Sequence, residues 1–211
     1  MTGAPERLLL ASGNPKKLKE LTALLGPLGI QLVTPAEVGG LDEVVEDRPD
    51  FRGNAAKKAV AAAQARGMWS LADDSGLEVD HLDGAPGVYS ARYAGTHGDD
   101  AANNARLLRE LAGVPRTERG ARFVCALALA RPDGTLAAEL QGTCRGVILE
   151  AERGDNDFGY DPLFEFDEPG HAVTGRSFAE LEGPEKAAVS HRGRALRELT
   201  IFLQDLLGQR A

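Results

Sequence analysis

Phe123-Val124-Cys125-Ala126-Leu127-Ala128-Leu129-Ala130 is apolar throughout. A run this short and uniform reads as a central strand covered on both faces. Pro132-Asp133-Gly134 follows as a turn, proline presetting one dihedral and glycine supplying a conformation other residues resist. Residues 136–148 then run back as a hairpin partner. Upstream of this hairpin, short apolar runs alternate with helical patterns. That mixture of hairpins and strand-helix units predicts an α/β or α+β fold around a mixed sheet, not a purely doubly wound one. The hairpin itself reads as core, with no chemistry assigned to it.

Working toward the N-terminus, Trp69 to Ala72 is another short apolar run, followed by Asp73-Asp74-Ser75-Gly76-Leu77. The two acids read as sitting at the mouth of a buried strand, before a Ser-Gly turn. On extended backbone, neighbouring side chains point to opposite faces, so Asp73 and Asp74 are expected to do different jobs. Residues 78–80 read as a further short strand. Asp50 caps an alanine-rich helix over 51–66 that carries Lys57 and Lys58. The acidic stretch 42–47, which includes Glu46, is polar enough for a loop, and residues 31–33 form a candidate strand.

Leu8-Leu9-Leu10-Ala11 is a buried strand broken by Ser12-Gly13-Asn14-Pro15. Asn14 suits an N-cap and Pro15 a first helical position. Leu18, Leu21 and Leu25 repeat at helical spacing until Gly26-Pro27. A strand, a glycine turn and a helix N-terminus make a ready anion site, because unpaired amides and the helix dipole converge there. Lys16 and Lys17 add positive charge. The Gly-x-x-x-x-Gly-Lys-Ser/Thr spacing is absent, so this is not a P-loop.

The chain has 211 residues, enough for one domain with a sizeable core, and residues 1–6 read as a loose leader. Its net charge of −8 disfavours a general nucleic-acid binder, which carries a basic face. Any phosphate must be met locally, by a few placed cations or a divalent metal. The two cysteines, Cys125 and Cys144, lack metal-type spacing and lie in apolar runs, as core thiols in a reducing compartment do. The first apolar run is too short for a signal peptide or a membrane span. The expectation is a cytoplasmic protein with neither a nucleic-acid nor a membrane partner.

Toward the C-terminus, Phe158-Gly159-Tyr160-Asp161 sets two aromatics and a carboxylate around a glycine. Such a block can stack on a base and accept hydrogen bonds from its ring nitrogens, or simply anchor a turn in the core. Ser190 caps the last helix and places His191 and Arg192 at its N-terminal end, with Lys186 just upstream. Cations avoid that positive end unless an anionic partner is present.

Taken together, Ser12-Gly13-Asn14 with Lys17, Phe51 with Asn54-Ala55, residues 72–77, residues 84–92, residues 158–162, and Lys186 with Ser190-His191-Arg192-Gly193 resemble the inosine/xanthosine triphosphate pyrophosphatase family. The match runs over about residues 8 to 207. The resemblance implies an elongated mixed central sheet flanked by helices, with two lobes and a cleft within one bilobed domain, generally as a homodimer. It implies hydrolysis of deaminated purine nucleoside triphosphates (ITP, dITP, XTP) to the monophosphate and pyrophosphate with Mg²⁺. Carried over by position, Ser12, Gly13, Asn14, Pro15, Lys16 and Lys17 form a triphosphate loop, and Asp74 matches the catalytic aspartate. Asp73 and Asp74 match an acidic metal pair, Ser75 a substrate contact, and Lys58 a lysine facing the phosphates. Phe158, Gly159, Tyr160 and Asp161 resemble the base pocket, while Lys186, His191 and Arg192 resemble the other nucleotide contacts. One departure stands out. Val45-Glu46-Asp47-Arg48 stands where many relatives carry paired glutamates and Thr-Gly, and Glu46 keeps one carboxylate as a candidate metal ligand.

That implied assignment fits elementary chemistry. Mg²⁺ takes hard oxygen ligands, an aspartate can orient or deprotonate the attacking water, and lysines can neutralise the departing pyrophosphate. Donors from His191 or Arg192 would satisfy a 6-oxo group and confront a 6-amino group. A nucleotide sensor without turnover and a hydrolase of modified pyrimidine nucleotides are the competing readings.

Overall fold

The structure is a computed structural model and describes residues 5–12, 15–155 and 158–208. Gly13 and Asn14 lie outside the described residues, as do the side chains of Pro15 and Lys16. Six strands form one mixed sheet in the order β2-β1-β3-β4-β5-β6. They are β1 (Arg7–Leu10), β2 (Gln31–Val33), β3 (Ser70–Val79), β4 (Gly120–Ala130), β5 (Leu136–Ile148) and β6 (Phe164–Phe166). β1 pairs in parallel with β2 and β3, whereas β5 and β6 are antiparallel. The main helices are α1 (Pro15–Leu25), α2 (Phe51–Arg66), α3 (Asp100–Glu110), α4 (Gly183–Val189) and α5 (His191–Gly208). Among the described residues no helix is long and apolar enough to cross a membrane.

The chain divides into two compact units. The first comprises residues 1–74, 126–141 and 195–211. In it Leu9, Val33 and Ala62 pack together, with Ala11, Val38, Leu41 and Met68 around them. Ala59, Ala62 and Ala63 of α2 are buried, which explains the run of small side chains on this helix. The second unit comprises residues 75–125 and 142–194. Its core is aromatic: Phe164 lies 4.5 Å from Phe123 and 4.9 Å from Phe178, ring centroid to ring centroid. Truncating any one of these rings would cost about 3–5 kcal/mol.

Two readings need correction. Asp73-Asp74-Ser75-Gly76 is not a turn at a strand mouth. β3 runs unbroken from Ser70 to Val79, and residues 78–80 add no separate strand. Ser and Gly favour turns only when the chain is left to local preference. Here β1 and β4 lie on either side of β3, and apolar Leu71, Ala72, Leu77 and Val79 are buried along it, so the ladder holds the segment extended. Residues 5 and 6, read as part of a loose leader, are held in place, and residues 1–4 lie outside the described residues. Pro5 is buried, and the Glu6 carbonyl accepts the Gln31 N–H at 2.8 Å.

Candidate active site

Asp50 caps α2 by accepting the Gly53 N–H at 2.7 Å. This fixes the helix so that Phe51, Asn54 and Ala55 are buried while Lys58, four residues beyond Asn54, reaches the acidic residues of β3. Lys58 Nζ lies 2.8 Å from Glu46 and 3.3 Å from Asp74. Asp73 is engaged separately, by Lys17 of α1, with Nζ 2.6 Å from its Oδ2. The adjacent acids thus take different lysines, as alternation along a strand requires. The structure brings Asp74, Glu46 and Lys58 into one cluster and Asp73 and Lys17 into another.

Burial raises the Asp74 carboxyl above its ordinary value; Lys58 opposes the rise and the neighbouring Glu46 adds to it. Two carboxylates therefore share one lysine. Burial would push Lys58 down, but Asp74, Glu46 and Asp73 outweigh it and keep the ammonium strongly protonated. Asp74 Oδ2 is buried and makes no hydrogen bond. Such an acceptor suits a hard cation or a proton. Among the described residues no three His, Cys, Asp or Glu side chains converge into a ready-made metal centre. Magnesium needs fewer, since one or two carboxylates suffice when substrate phosphates complete its shell. Asn54, to which the sequence reading assigned no role, is fully buried beside this cluster. Its Oδ1 accepts the Arg48 N–H at 3.0 Å, and its Nδ2 faces Asp74 without completing a hydrogen bond. A buried asparagine on a helix otherwise lined with alanine is the sequence signal for it.

In the second unit, Phe158, Gly159, Tyr160 and Asp161 form a turn whose members differ sharply in exposure. Phe158 is 37 % exposed, Tyr160 only 5 %. The Tyr160 hydroxyl donates to the Ser90 carbonyl at 2.9 Å, so this ring anchors the turn. Buried Asp161 pairs with Lys186 of α4. The Lys186 ammonium lies 5.6 Å from the centre of the Phe158 ring. Lys186, expected among the nucleotide contacts, therefore sits with the aromatic turn. Ser75 Oγ is buried and makes no hydrogen bond.

Ser190 caps α5 as expected, its Oγ accepting the Gly193 N–H at 3.1 Å. His191 is the first residue of α5 and stacks on Phe123 at 4.8 Å, its Nδ1 4.0 Å from Cys144 Sγ. Burial pushes the Cys144 thiol up to about 12, so it stays protonated and touches the imidazole as a neutral neighbour. Arg192 follows, half-buried. Ser12 is half-buried just beyond β1, its N–H donating to the Leu10 carbonyl at 2.8 Å.

Comparison with known proteins matches residues 8–202 to the Ham1 family. A Desulforamulus reducens protein named dITP/XTP pyrophosphatase is 50 % identical, over 95 % of this chain and 96 % of its own. A Corynebacterium efficiens protein of the same name is 48 % identical, over 96 % of this chain and all of its own. Among solved structures, a HAM1 protein from Coxiella burnetii superimposes with a TM-score of 0.86 at 38 % identity, covering 94 % of this chain and 98 % of that one. A dITP/XTP pyrophosphatase from Mycobacterium abscessus gives 0.77 at 47 %, covering 92 % and 98 %.

Proposed function

Because the chain belongs to the Ham1 family, we propose that it hydrolyses the deaminated purine nucleoside triphosphates ITP, dITP, XTP and dXTP to the monophosphate and pyrophosphate. The observation that carries this reading is Asp74, with a buried, unbonded Oδ2, beside a lysine it shares with Glu46. A site that only bound the anionic nucleotide would gain nothing from setting a second carboxylate on a lysine that Glu46 already pairs with. Water attacks the α-phosphorus and the bond from that phosphorus to the bridging oxygen breaks, so pyrophosphate leaves. Asp74 orients the water and takes its proton. Lys17 and Lys58 hold the charged phosphate oxygens, together with the loop Ser12, Gly13, Asn14, Pro15 and Lys16. Phe158, partly exposed, offers its ring to the base, and Arg192 and His191 supply donors for its 6-oxo group.

Mg²⁺ is the metal this reading implies, held by Asp74 and Glu46, with Asp73 the further candidate; when bound it polarises a phosphate oxygen and acidifies water. Under the same reading the enzyme is a cytoplasmic homodimer that acts on free nucleotides, and the net charge of −8 supports a substrate other than nucleic acid.

Pyrophosphate release measured on ITP, XTP, GTP, ATP and dUTP, with and without Mg²⁺, tests the proposal. Release from ITP and XTP well above ATP, and only with the metal, is the expected result. A preference for dUTP, or tight nucleotide binding with no release, would overturn it.

A further inference from the structure

Gly159 is the hinge of the aromatic turn. Its φ of +56° lies in the left-handed region, and it separates the exposed Phe158 ring from the buried Tyr160 ring. Glycine has more backbone freedom than any other residue, so a hinge of this kind sets ring direction only if something else holds it. α3 does so from both sides. The Gly159 N–H donates to Asp100 Oδ2 at 2.8 Å, and its carbonyl accepts from Asn104 Nδ2 at 3.1 Å. Asp100 and Asn104 are four residues apart and therefore share one helix face. The second N–H of Asn104 goes to Glu152 at 3.2 Å, which fixes the amide plane. The helix is itself tied down next door, where Asn103 Oδ1 accepts the Ala94 N–H at 2.7 Å. Asparagine is a poor helix former that prefers caps and turns. Two in succession, both buried, are better explained by what they grip than by helix formation.

We propose that Asp100 and Asn104 are positioning residues of the base-binding turn, clamping the Gly159 backbone so that the Phe158 ring is set before a purine arrives. The proposal rests on the reading of Phe158 as the surface on which the base stacks. A ring fixed in advance loses less freedom when ligand binds, so the clamp acts on affinity for the base end of the nucleotide. Neither residue touches the reacting phosphates, and the chemical step should be nearly untouched.

Competitive inhibition separates this role from a merely structural one. dIMP carries a base; inorganic tripolyphosphate carries phosphates alone. In Asp100→Ala and Asn104→Ala the inhibition constant for dIMP and the KM for dITP should rise by up to about tenfold, the scale of having to order one side chain on binding. Inhibition by tripolyphosphate and kcat should stay within about threefold. Asp100→Asn keeps an acceptor oxygen and should restore most of the loss. Asp100 is exposed, so its variants keep the test available should Asn104→Ala unfold, which thermal melts would reveal. Equal weakening of both inhibitors, or of neither, overturns the clamp. Phe158→Ala is the reference. If it leaves dIMP inhibition unchanged, the base-stacking reading fails and the clamp falls with it. If it weakens dIMP while Asp100→Ala and Asn104→Ala do not, the clamp alone is refuted.

Discussion

Asp74 carries two opposed demands in one side chain. Burial raises its carboxyl, so the folded protein holds that proton more tightly than the unfolded chain does. A raised carboxyl contributes stability that is complete below the ordinary carboxylate range and lost as pH rises through the raised value. At neutral pH the buried carboxylate is therefore a cost, and Lys58 keeps Glu46 as a partner at 2.8 Å if Asp74 is neutralised. Asp74→Asn should melt at or above the parent temperature at pH 7, and the gap should close as pH falls. Its turnover should drop by at least ~10²-fold, the scale of a general base. Turnover within about threefold of the parent would remove Asp74 from the catalytic role. Arg192→Ala should act on selectivity instead. A guanidinium offers only donors, so its loss should depress kcat/KM on ITP and XTP more than on ATP, narrowing the preference by roughly 1–3 kcal/mol. Equal losses on the three nucleotides would assign Arg192 to the phosphates.

At the level of elements, the junction of α4 and α5 depends on one missing methyl group. A Cβ at Gly193 would stand 1.9 Å from the Ala187 carbonyl oxygen, where only backbone could give way. Gly193→Ala should therefore destabilise by about 1–3 kcal/mol, or on the order of 2–4 °C in Tm per kcal/mol for a chain of this size. An unchanged melting temperature would mean that α4 shifts at no cost. Helix spans proved the easiest elements to read. Asp50 and the alanine-rich run marked α2 at Phe51–Arg66, because cap and helix propensity are both local signals. β3 was misread for the converse reason. Its polar centre carries turn-forming residues, and only neighbouring strands hold it extended.

Across the whole molecule, acid should act through carboxylates held low in the folded state. Burial alone would raise Glu168, but Arg194, bonded to both its oxygens at 2.9 and 2.6 Å, and the Arg145 N–H outweigh it. Glu180 is held low chiefly by the Ser177 N–H, with Arg153 adding to it. Groups lowered from 4.5 contribute stability above that pH and lose it as pH falls through their folded values. Tm should fall below about pH 4.5, and Glu168→Gln should be less stable than the parent at pH 7 yet converge with it in acid. A constant difference across that range would show that Glu168 is not titrating. The sequence by itself determined the fold class and most element boundaries, since periodicity and caps are properties of neighbouring residues. It also foretold that Asp73 and Asp74 would part ways, because strand alternation needs no tertiary information. Only the tertiary structure decided which lysine each acid meets, that Tyr160 is buried as an anchor while Phe158 is partly exposed, and that Asp100 and Asn104 grip distant backbone. Those contacts join residues up to 70 positions apart. Their formation depends on which surfaces the packed elements bring together, and no local pattern records that.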